Sequence, residues 1–541
     1  MKFILGMFKV IVAMIMMMML VMMVGMFLYT KNDAKIDYDV DTAGLAVPTY
    51  DTVELDHAQS HADATSLPFT ASAAIDIDGD GVEELFIGGG HEQQDVMYKF
   101  SGGDFTPIDN AAGVTKAADA SSTLGALALD TDKDGDEDLL ITRPDGVWLY
   151  ENDGGTLTGV KLTTPMESDT TPLSVSVADL NSDGHFDMYV AGYINNDLVE
   201  GLNVFREGYG GTSALLINSG DNRTFTNETE ARGLLYKHNT FQSAFIDFEK
   251  DGDVDLVVAH DTGQVRTWIN DGGNFTSLDN PDSSLYSYPM GIAIGDYDNN
   301  GFVDFMYTNV GSTPPHFMVK GDLTEDQQHH WKWMLFSNNG GTFEDIAETA
   351  KVADYEFGWG LVFEDLNLDG REDLVASQNF VSAPFHKVPF MRLPGRLFIQ
   401  TENNEFAEMG AEAGVVNKRY SITPVTADFN GDGAADIVHI NVSGKSQAFL
   451  SKGPAEGNGY LKIKMPRDVS SIGAMVEVTL EDGTVLFKPY VSGEGLAGDS
   501  SSVITAGLGS QSATGVEVKY LDGTSKTLTG SYRDETLVVT Q

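Results

Sequence analysis

The sequence predicts an all-β protein: a seven-bladed β-propeller followed by a small C-terminal β domain, with a hydrophobic helix at the N-terminus. Three observations carry this prediction. A nine-residue acidic motif, D-x-[DNE]-x-[DN]-G-x-x-[DE], recurs seven times, its first aspartates spaced by 54, 49, 68, 49, 69 and 63 residues. Each copy lies between short apolar runs suited to strands. The intervals also contain Asn-Gly or Gly-Gly turns between apolar runs, which are hairpin signals. Units of this length with about four short strands make propeller blades, and seven is within the usual range. A β-helix would need much shorter repeats.

Taken in chain order, the first element is residues 1–31. Lys2 and Lys9 precede an uncharged apolar run from Val10 to Leu28, 19 residues long. At about 1.5 Å per residue, such a helix nearly spans a hydrocarbon core of about 30 Å. The segment reads as a signal anchor or a signal peptide, and the want of a small-x-small pattern after Gly25 favours the anchor. Either way Lys2 and Lys9 stay cytoplasmic and the chain beyond about residue 32 is exported. Ten of the 21 methionines fall in the first 26 residues, so the methionine count reports this segment. Residues 32–59 form a linker in which Thr52-Val-Glu-Leu-Asp56 can supply a strand that closes the ring.

The propeller is expected over residues 60–455, and its acidic loops hold the candidate metal ligands. The first loop offers Asp76, Asp78, Asp80 and Glu84, and the second Asp130, Asp132, Asp134 and Asp138. The third offers Asp179, Asn181, Asp183 and Asp187, and the fourth Asp247, Glu249, Asp251 and Asp255. The fifth holds Asp296, Asp298, Asn300 and Asp304, and the sixth Asp365, Asn367, Asp369 and Asp373. Asp428, Asn430, Asp432 and Asp436 complete the series. Positions 1, 3 and 5 turn three side-chain oxygens to one side of a tight loop, and glycine at position 6 permits a positive φ. With the carbonyl of residue 7 and the acid at 9, this makes an all-oxygen cage suited to a hard cation. Mixed carboxylate and amide donors favour Ca²⁺ over zinc, copper or the stricter Mg²⁺. The loops resemble the first half of an EF-hand, with the last acid at position 9 instead of 12. Up to seven Ca²⁺ are expected, as structural staples in a chain with no cysteine to form disulfides.

The same loops locate much of the chain's charge. Of 81 Asp+Glu against 33 Lys+Arg, a net −48, 29 acids fall in the seven loops and 24 of those at ligand positions. Such a field repels phosphate and argues against nucleic-acid binding. Absent cysteine also excludes a thiolate metal site, a cysteine nucleophile and a lipid-attachment cysteine.

The units with D-x-D-x-D-G loops resemble the FG-GAP/VCBS repeats of integrin-α-type propellers. Gly358-Trp-Gly-Leu-Val-Phe-Glu-Asp365 is similar to repeats in the family of cartilage acidic protein and its bacterial relatives. Beyond it, residues 456–541 read as a compact β domain, alternating over 460–466 and 474–480 with turns at Asp482-Gly and Asp522-Gly. Asn458-Gly-Tyr-Leu-Lys-Ile-Lys, Ile472-Gly-Ala-Met-Val-Glu-Val, Ala506-Gly-Leu-Gly509 and Val516-Glu-Val-Lys-Tyr-Leu-Asp-Gly-Thr are similar to the ASPIC/UnbV module. Family members commonly have Trp-Pro-x-Gly where this chain has Tyr520-Leu-Asp-Gly523. The resemblance implies an extracellular calcium-binding propeller acting as an adhesion or interaction scaffold, with an unknown protein or glycan partner. Insertions around 310–335 and 380–396 are candidate partner surfaces. The alternative is a carbohydrate-active or phosphoester hydrolase on the propeller's axial face. No catalytic constellation stands out: His91-Glu-Gln-Gln-Asp95 lacks the second histidine of a zincin helix, and no P-loop or G-x-S-x-G elbow is present. The membrane is a partner only through an uncleaved N-terminal segment, and the oligomeric state is not legible.

Overall fold

The computed structural model describes residues 2–31, 38–59, 67, 69–108, 121–200, 205–311, 320–379, 393–442, 444–455 and 457–540. Among these, seven sheets follow one plan of four antiparallel strands, the first with a short fifth strand added in parallel. The first comprises Ser72–Ile75, Glu84–Ile87, Val96–Ser101 and Asp104–Pro107. The second comprises Gly125–Leu129, Asp138–Arg143, Gly146–Asn152 and Leu157–Lys161. Thr170–Ala178, Asp187–Ile194, Ala214–Asn218 and Phe225–Asn227 form the third. Asn239–Ile246, Asp255–Asp261, Arg266–Asp271 and Asn274–Leu278 form the fourth. The fifth holds Ile292–Gly295, Asp304–Tyr307, Met334–Asn338 and Phe343–Asp345. The sixth holds Gly358–Glu364, Asp373–Gln378, Arg396–Gln400 and Phe406–Glu408.

The seventh sheet takes only three strands from its own stretch of chain: Ser421–Ala427, Asp436–Asn441 and Lys445–Ser451. Its fourth strand is Tyr50–Ala58, paired antiparallel from Tyr50↔Ser451 to Glu54↔Gln447. First strands of successive sheets pack side by side, and that of the seventh lies against that of the first. The order is therefore cyclic and propeller-like. Burial follows the same radius: Ser72–Ile75 and Glu84–Ile87 are buried throughout, whereas Asp104–Pro107 buries only Phe105. Along that gradient the inner strands are buried on both faces, their polar positions being mostly Ser and Thr as in Thr170–Ala178 and Ser421–Ala427, and the outer ones alternate. Close approach at the centre depends on glycine. A Cβ on Gly360 would lie 2.7 Å from Thr423 Oγ1, and one on Gly291 would lie 2.6 Å from Gly360 Cα.

The C-terminal domain has two sheets. One pairs Ile504–Gly509 with Gly459–Lys464 and Glu535–Val538; the other runs Val485–Pro489, Met475–Leu480, Ala513–Lys519 and Ser525–Tyr532. Strict alternation of buried and half-buried residues in Gly459–Lys464 and Met475–Leu480 reflects sheets with one face on a core. That core, around Leu461, Val476, Val478 and Val518, is continuous with side chains of the third and fourth sheets such as Tyr189, Leu256 and Trp268.

The domain also sends a segment down the middle of the ring. Gly498–Asp499 pairs in parallel with Ser72–Ala73 of the first sheet. Gly495 exchanges two backbone hydrogen bonds with Ile292 of the fifth, at 2.9 and 2.7 Å. Ala126 N–H of the second sheet donates to Ala497 O, and Ala497 N–H donates to Gln242 Oε1 of the fourth at 2.9 Å. Leu496 N–H donates to Thr423 Oγ1 of the seventh. The Leu496 side chain is fully buried in a central cluster with Phe69, Leu173, Phe241, Trp359 and Ile422. Residues 493–499 thus fill the axis.

Lys2–Lys31 is one helix. Ile11 and Met14 through Val24 are exposed on it. Among the described residues no helix is long and apolar enough to cross a membrane; the side chains of Val10 and Met26–Leu28, at the ends of the expected run, lie outside the described set. Of the expected insertions, residues 312–319 and 380–392 lie outside it as well. Trp333 is fully buried, its Nε1–H donating to Glu356 O at 3.0 Å, while Trp331 is 38% exposed.

Candidate metal centres in the acidic loops

All seven acidic loops join the first strand of a sheet to its second, so all lie at the same end of the ring. They also share one backbone conformation. The glycines at position 6 (Gly81, Gly135, Gly184, Gly252, Gly301, Gly370 and Gly433) have φ between +84° and +99°. Position 4 is left-handed too, at Gly79, Lys133, Ser182, Lys250, Asn299, Leu368 and Gly431. Two left-handed residues in three fold the loop on itself and turn its amides inward. The position-1 carboxylate Oδ2 accepts the position-6 N–H in every copy, from 2.7 Å at Asp296 to 3.0 Å at Asp76, Asp130 and Asp247.

The position-9 acid is held at least as firmly. In six copies one carboxylate oxygen accepts the N–H of loop residue 2, as Asp304 Oδ2 does from Tyr297 at 2.8 Å, and in the seventh Asp436 Oδ2 accepts that of residue 3, Asn430, at 3.0 Å. In six copies the other accepts the N–H that ends the third strand: Asn152, Asn218, Asn270, Asn338, Gln400 and Ser451. Burial pushes these acids up: Asp138 and Asp187 to about 6, Asp255 and Asp436 to about 8. Asp304 and Asp373 lie well above the ordinary carboxylate range, with neighbouring acids adding to the effect of burial. At position 1, burial pushes Asp296 and Asp365 to about 7. A divalent cation would reverse that logic, since it makes the ionised form the favoured one.

The predicted ligands converge unequally. In three loops the acids Asp76/Asp78/Glu84, Asp130/Asp132/Asp138 and Asp296/Asp298/Asp304 bring one oxygen each within 4.8 Å of one another. Buried Asp298 Oδ1 has no hydrogen-bond partner, which leaves the fifth loop short of a cation; Asp76 Oδ1 and Glu84 Oε1 accept no hydrogen bond either, although two lysines stand against the first loop. In the third, sixth and seventh loops asparagine stands at position 3. Its Nδ2 donates to the position-5 aspartates Asp183, Asp369 and Asp432 at 3.0, 3.0 and 3.2 Å. In the fourth, Asp247 and Asp251 are tied through the Asp251 N–H at 3.2 Å, and Glu249 and Asp255 stand with them in the same loop. In the fifth, Asn300 donates its Nδ2 to Asn338 O at 3.0 Å. Asp80 and Asp134, at position 5 of the first two loops, accept the N–H of residue 7 from Val82 and Asp136 at 2.9 Å. The all-oxygen donor sets fit a hard cation.

Sequence reasoning passed over two sets of residues here. The first is the asparagine before each Gly-rich turn, read only as a hairpin signal. Asn338 Nδ2 donates to Val303 O of its own loop and to Phe248 O of the preceding one, at 3.1 and 3.0 Å. Asn152 does the same with Glu137 O and Ile77 O. These amides stitch neighbouring loops together. The second set is cationic and comes largely from the C-terminal domain, which lies over the loops. Lys464 Nζ is 2.8 Å from Asp76, and Lys462 pairs with Asp428. Buried Arg467 reaches Glu137 at 2.9 Å, Asp499 at 2.7 Å and Ala74 O at 2.8 Å. Buried Lys488 holds Glu372 at 2.6 Å.

Comparison with known proteins agrees with this division. Residues 130–190 and 247–307 match the FG-GAP-like repeat, and residues 466–541 match the ASPIC and UnbV family. No curated protein matches the chain. Among solved structures, an Agrocybe aegerita lectin described as recognising non-reducing terminal N-acetylglucosamine is similar at 17% identity. That likeness covers 67% of this chain and 86% of the lectin, with a TM-score of 0.37. A Bacillus licheniformis rhamnogalacturonan lyase is similar at 14% identity over 75% of this chain and 76% of its own, with a TM-score of 0.39.

Proposed function

From a chain that carries FG-GAP-like repeats followed by an ASPIC and UnbV domain, we propose an exported, seven-bladed β-propeller stapled by Ca²⁺, acting as an adhesion or interaction scaffold. The observation that carries this reading is the shared loop geometry, with left-handed residues at positions 4 and 6 in all seven copies. Calcium would be held by the residues at positions 1, 3, 5 and 9, together with the carbonyl at 7. Bound there, it supplies the positive charge that buried, crowded carboxylates otherwise lack, and so stabilises the folded chain by mass action.

The scaffold reading is favoured over a hydrolase because the axis is filled by residues 493–499 of the chain itself. Among the described residues, this segment takes up the axial position that such a hydrolase site would need. The remaining surface is rim and outer strand, and a net charge of −48 suits a basic partner or one bridged by divalent ions, not nucleic acid. The partner class is a protein or a glycan. Export, and anchoring if the segment is uncleaved, rest on the apolar run from Val10 to Leu28.

Scanning calorimetry with calcium and with chelator, at matched ionic strength, tests the staple. Chelation is expected to lower the unfolding midpoint by several degrees; an unchanged midpoint overturns it.

A further inference from the structure

The first loop departs from the other six in a correlated way. Its position-9 acid is Glu84, where every other copy has aspartate. The residue after position 9 pairs across the sheet with Tyr98, Tyr150, Leu216, Trp268, Phe336, Phe398 and Phe449 in the seven copies. One residue further along the third strand, the side chain faces the loop, as Ser337 does by donating to Asp298 at 3.3 Å. At that place the chain carries Lys99, then Glu151, Ile217, Ile269, Ser337, Ile399 and Leu450. The lysine is unique to the first copy. Phe100, next to it, likewise stands where the others have Asn, Gln or Ser.

Lys99 Nζ sits among three loop carboxylates, 2.6 Å from Asp78, 2.8 Å from Asp80 and 3.0 Å from Glu84. Two of the ammonium's N–H groups donate to Asp78 and Asp80, and Glu84 closes the set as an ion pair in which its Oε1 accepts no hydrogen bond. The extra methylene of Glu84 lengthens the arm that reaches it. Lys464, from the C-terminal domain, adds a second ammonium on Asp76 at 2.8 Å. Together the two lysines bring to four carboxylates the charge of one divalent ion.

We propose that Lys99 is the built-in cation of the first loop: its ammonium occupies the ligand cage that calcium would occupy in the other loops, making this corner of the ring independent of metal. The proposal rests on the calcium reading of the loops. It identifies Lys99 as the residue that sets the metal stoichiometry of the first blade, next to the seam with the seventh.

Calcium bound per chain, measured by elemental analysis after equilibration and desalting, provides the test. Lys99→Ile, which installs the residue present at Ile217, Ile269 and Ile399, is expected to bind one equivalent more than the unaltered protein. Equal stoichiometry in the two overturns the proposal. An unaltered protein that binds no calcium overturns the staple reading as well. Should the variant not fold, lanthanide-soaked crystals of the unaltered protein answer the same question. Anomalous peaks in the second and fifth loops with none in the first support the proposal, and a peak among Asp78, Asp80 and Glu84 overturns it.

Discussion

Asn338 is fully buried and uses its whole amide. Nδ2 reaches two carbonyls at 3.0 and 3.1 Å, and Oδ1 accepts the Gly341 N–H at 2.8 Å. Asn338→Leu keeps most of the bulk but removes the partner of two buried carbonyls, each costing about 1–3 kcal/mol, and of the half-buried Gly341 N–H. The variant is expected to lose roughly 3 kcal/mol in urea unfolding at saturating calcium. A loss below about 1 kcal/mol would mean that metal alone orders the loops. At this scale the sequence was most informative about loop ligands, because chelation chemistry is local: alternate oxygens and a left-handed glycine lie within nine residues. Latching residues were hidden for the opposite reason. Asn338 meets carbonyls 35 and 90 residues away in sequence, so its Asn-Asn-Gly-Gly context reads as a turn and nothing more. Lys99 was passed over likewise: only strand register places it against the first loop.

Among elements, short strands and their hairpins were legible because period-2 patterning and Asn-Gly turns reflect which face a sheet buries. Residues 493–499 were not. Gly-Glu-Gly-Leu-Ala-Gly has the composition of a solvent loop, yet Leu496 is fully buried where first strands meet. Its glycines suit a segment threaded between backbones: a Cβ on Gly498 would lie 2.8 Å from Ser72 Oγ. This segment couples the C-terminal domain to sheets that precede it by hundreds of residues. Leu496→Asp places an unpaired carboxylate in the central cluster, which a fold of ordinary stability tolerates poorly. The expected result is that one calorimetric transition splits in two, the C-terminal domain separating from the ring. A single transition merely shifted to lower temperature would show that the polar contacts of Arg467 and Lys488 suffice for coupling.

Taken whole, the molecule gathers carboxylates at one end of the ring and covers them with a domain that brings lysines and an arginine. Its stability in chelator should therefore depend on pH in an unusual direction. Burial raises Glu84, Asp296 and Asp365 to about 7 and Asp255 and Asp436 to about 8, far above their unfolded values near 4. The folded chain then binds more protons than the unfolded one between these limits. The contribution is fully present below about pH 4 and is lost as pH rises through 7 and 8. In chelator the thermal midpoint should fall from pH 6 to pH 8. In saturating calcium the trend should flatten or reverse, because the metal takes deprotonated ligands. A midpoint in chelator that ignores pH would contradict this account. The closing strand carries a different consequence, one of timing. Tyr50–Ala58 completes a sheet whose other strands end at Ser451. At roughly 5–20 residues per second of synthesis, that strand waits on the order of 20–80 s for its partner. Throughout that interval a nascent ring has two open edges, and contacts of such long range form slowly. The acidity that loads the loops also makes nascent chains repel one another while they wait.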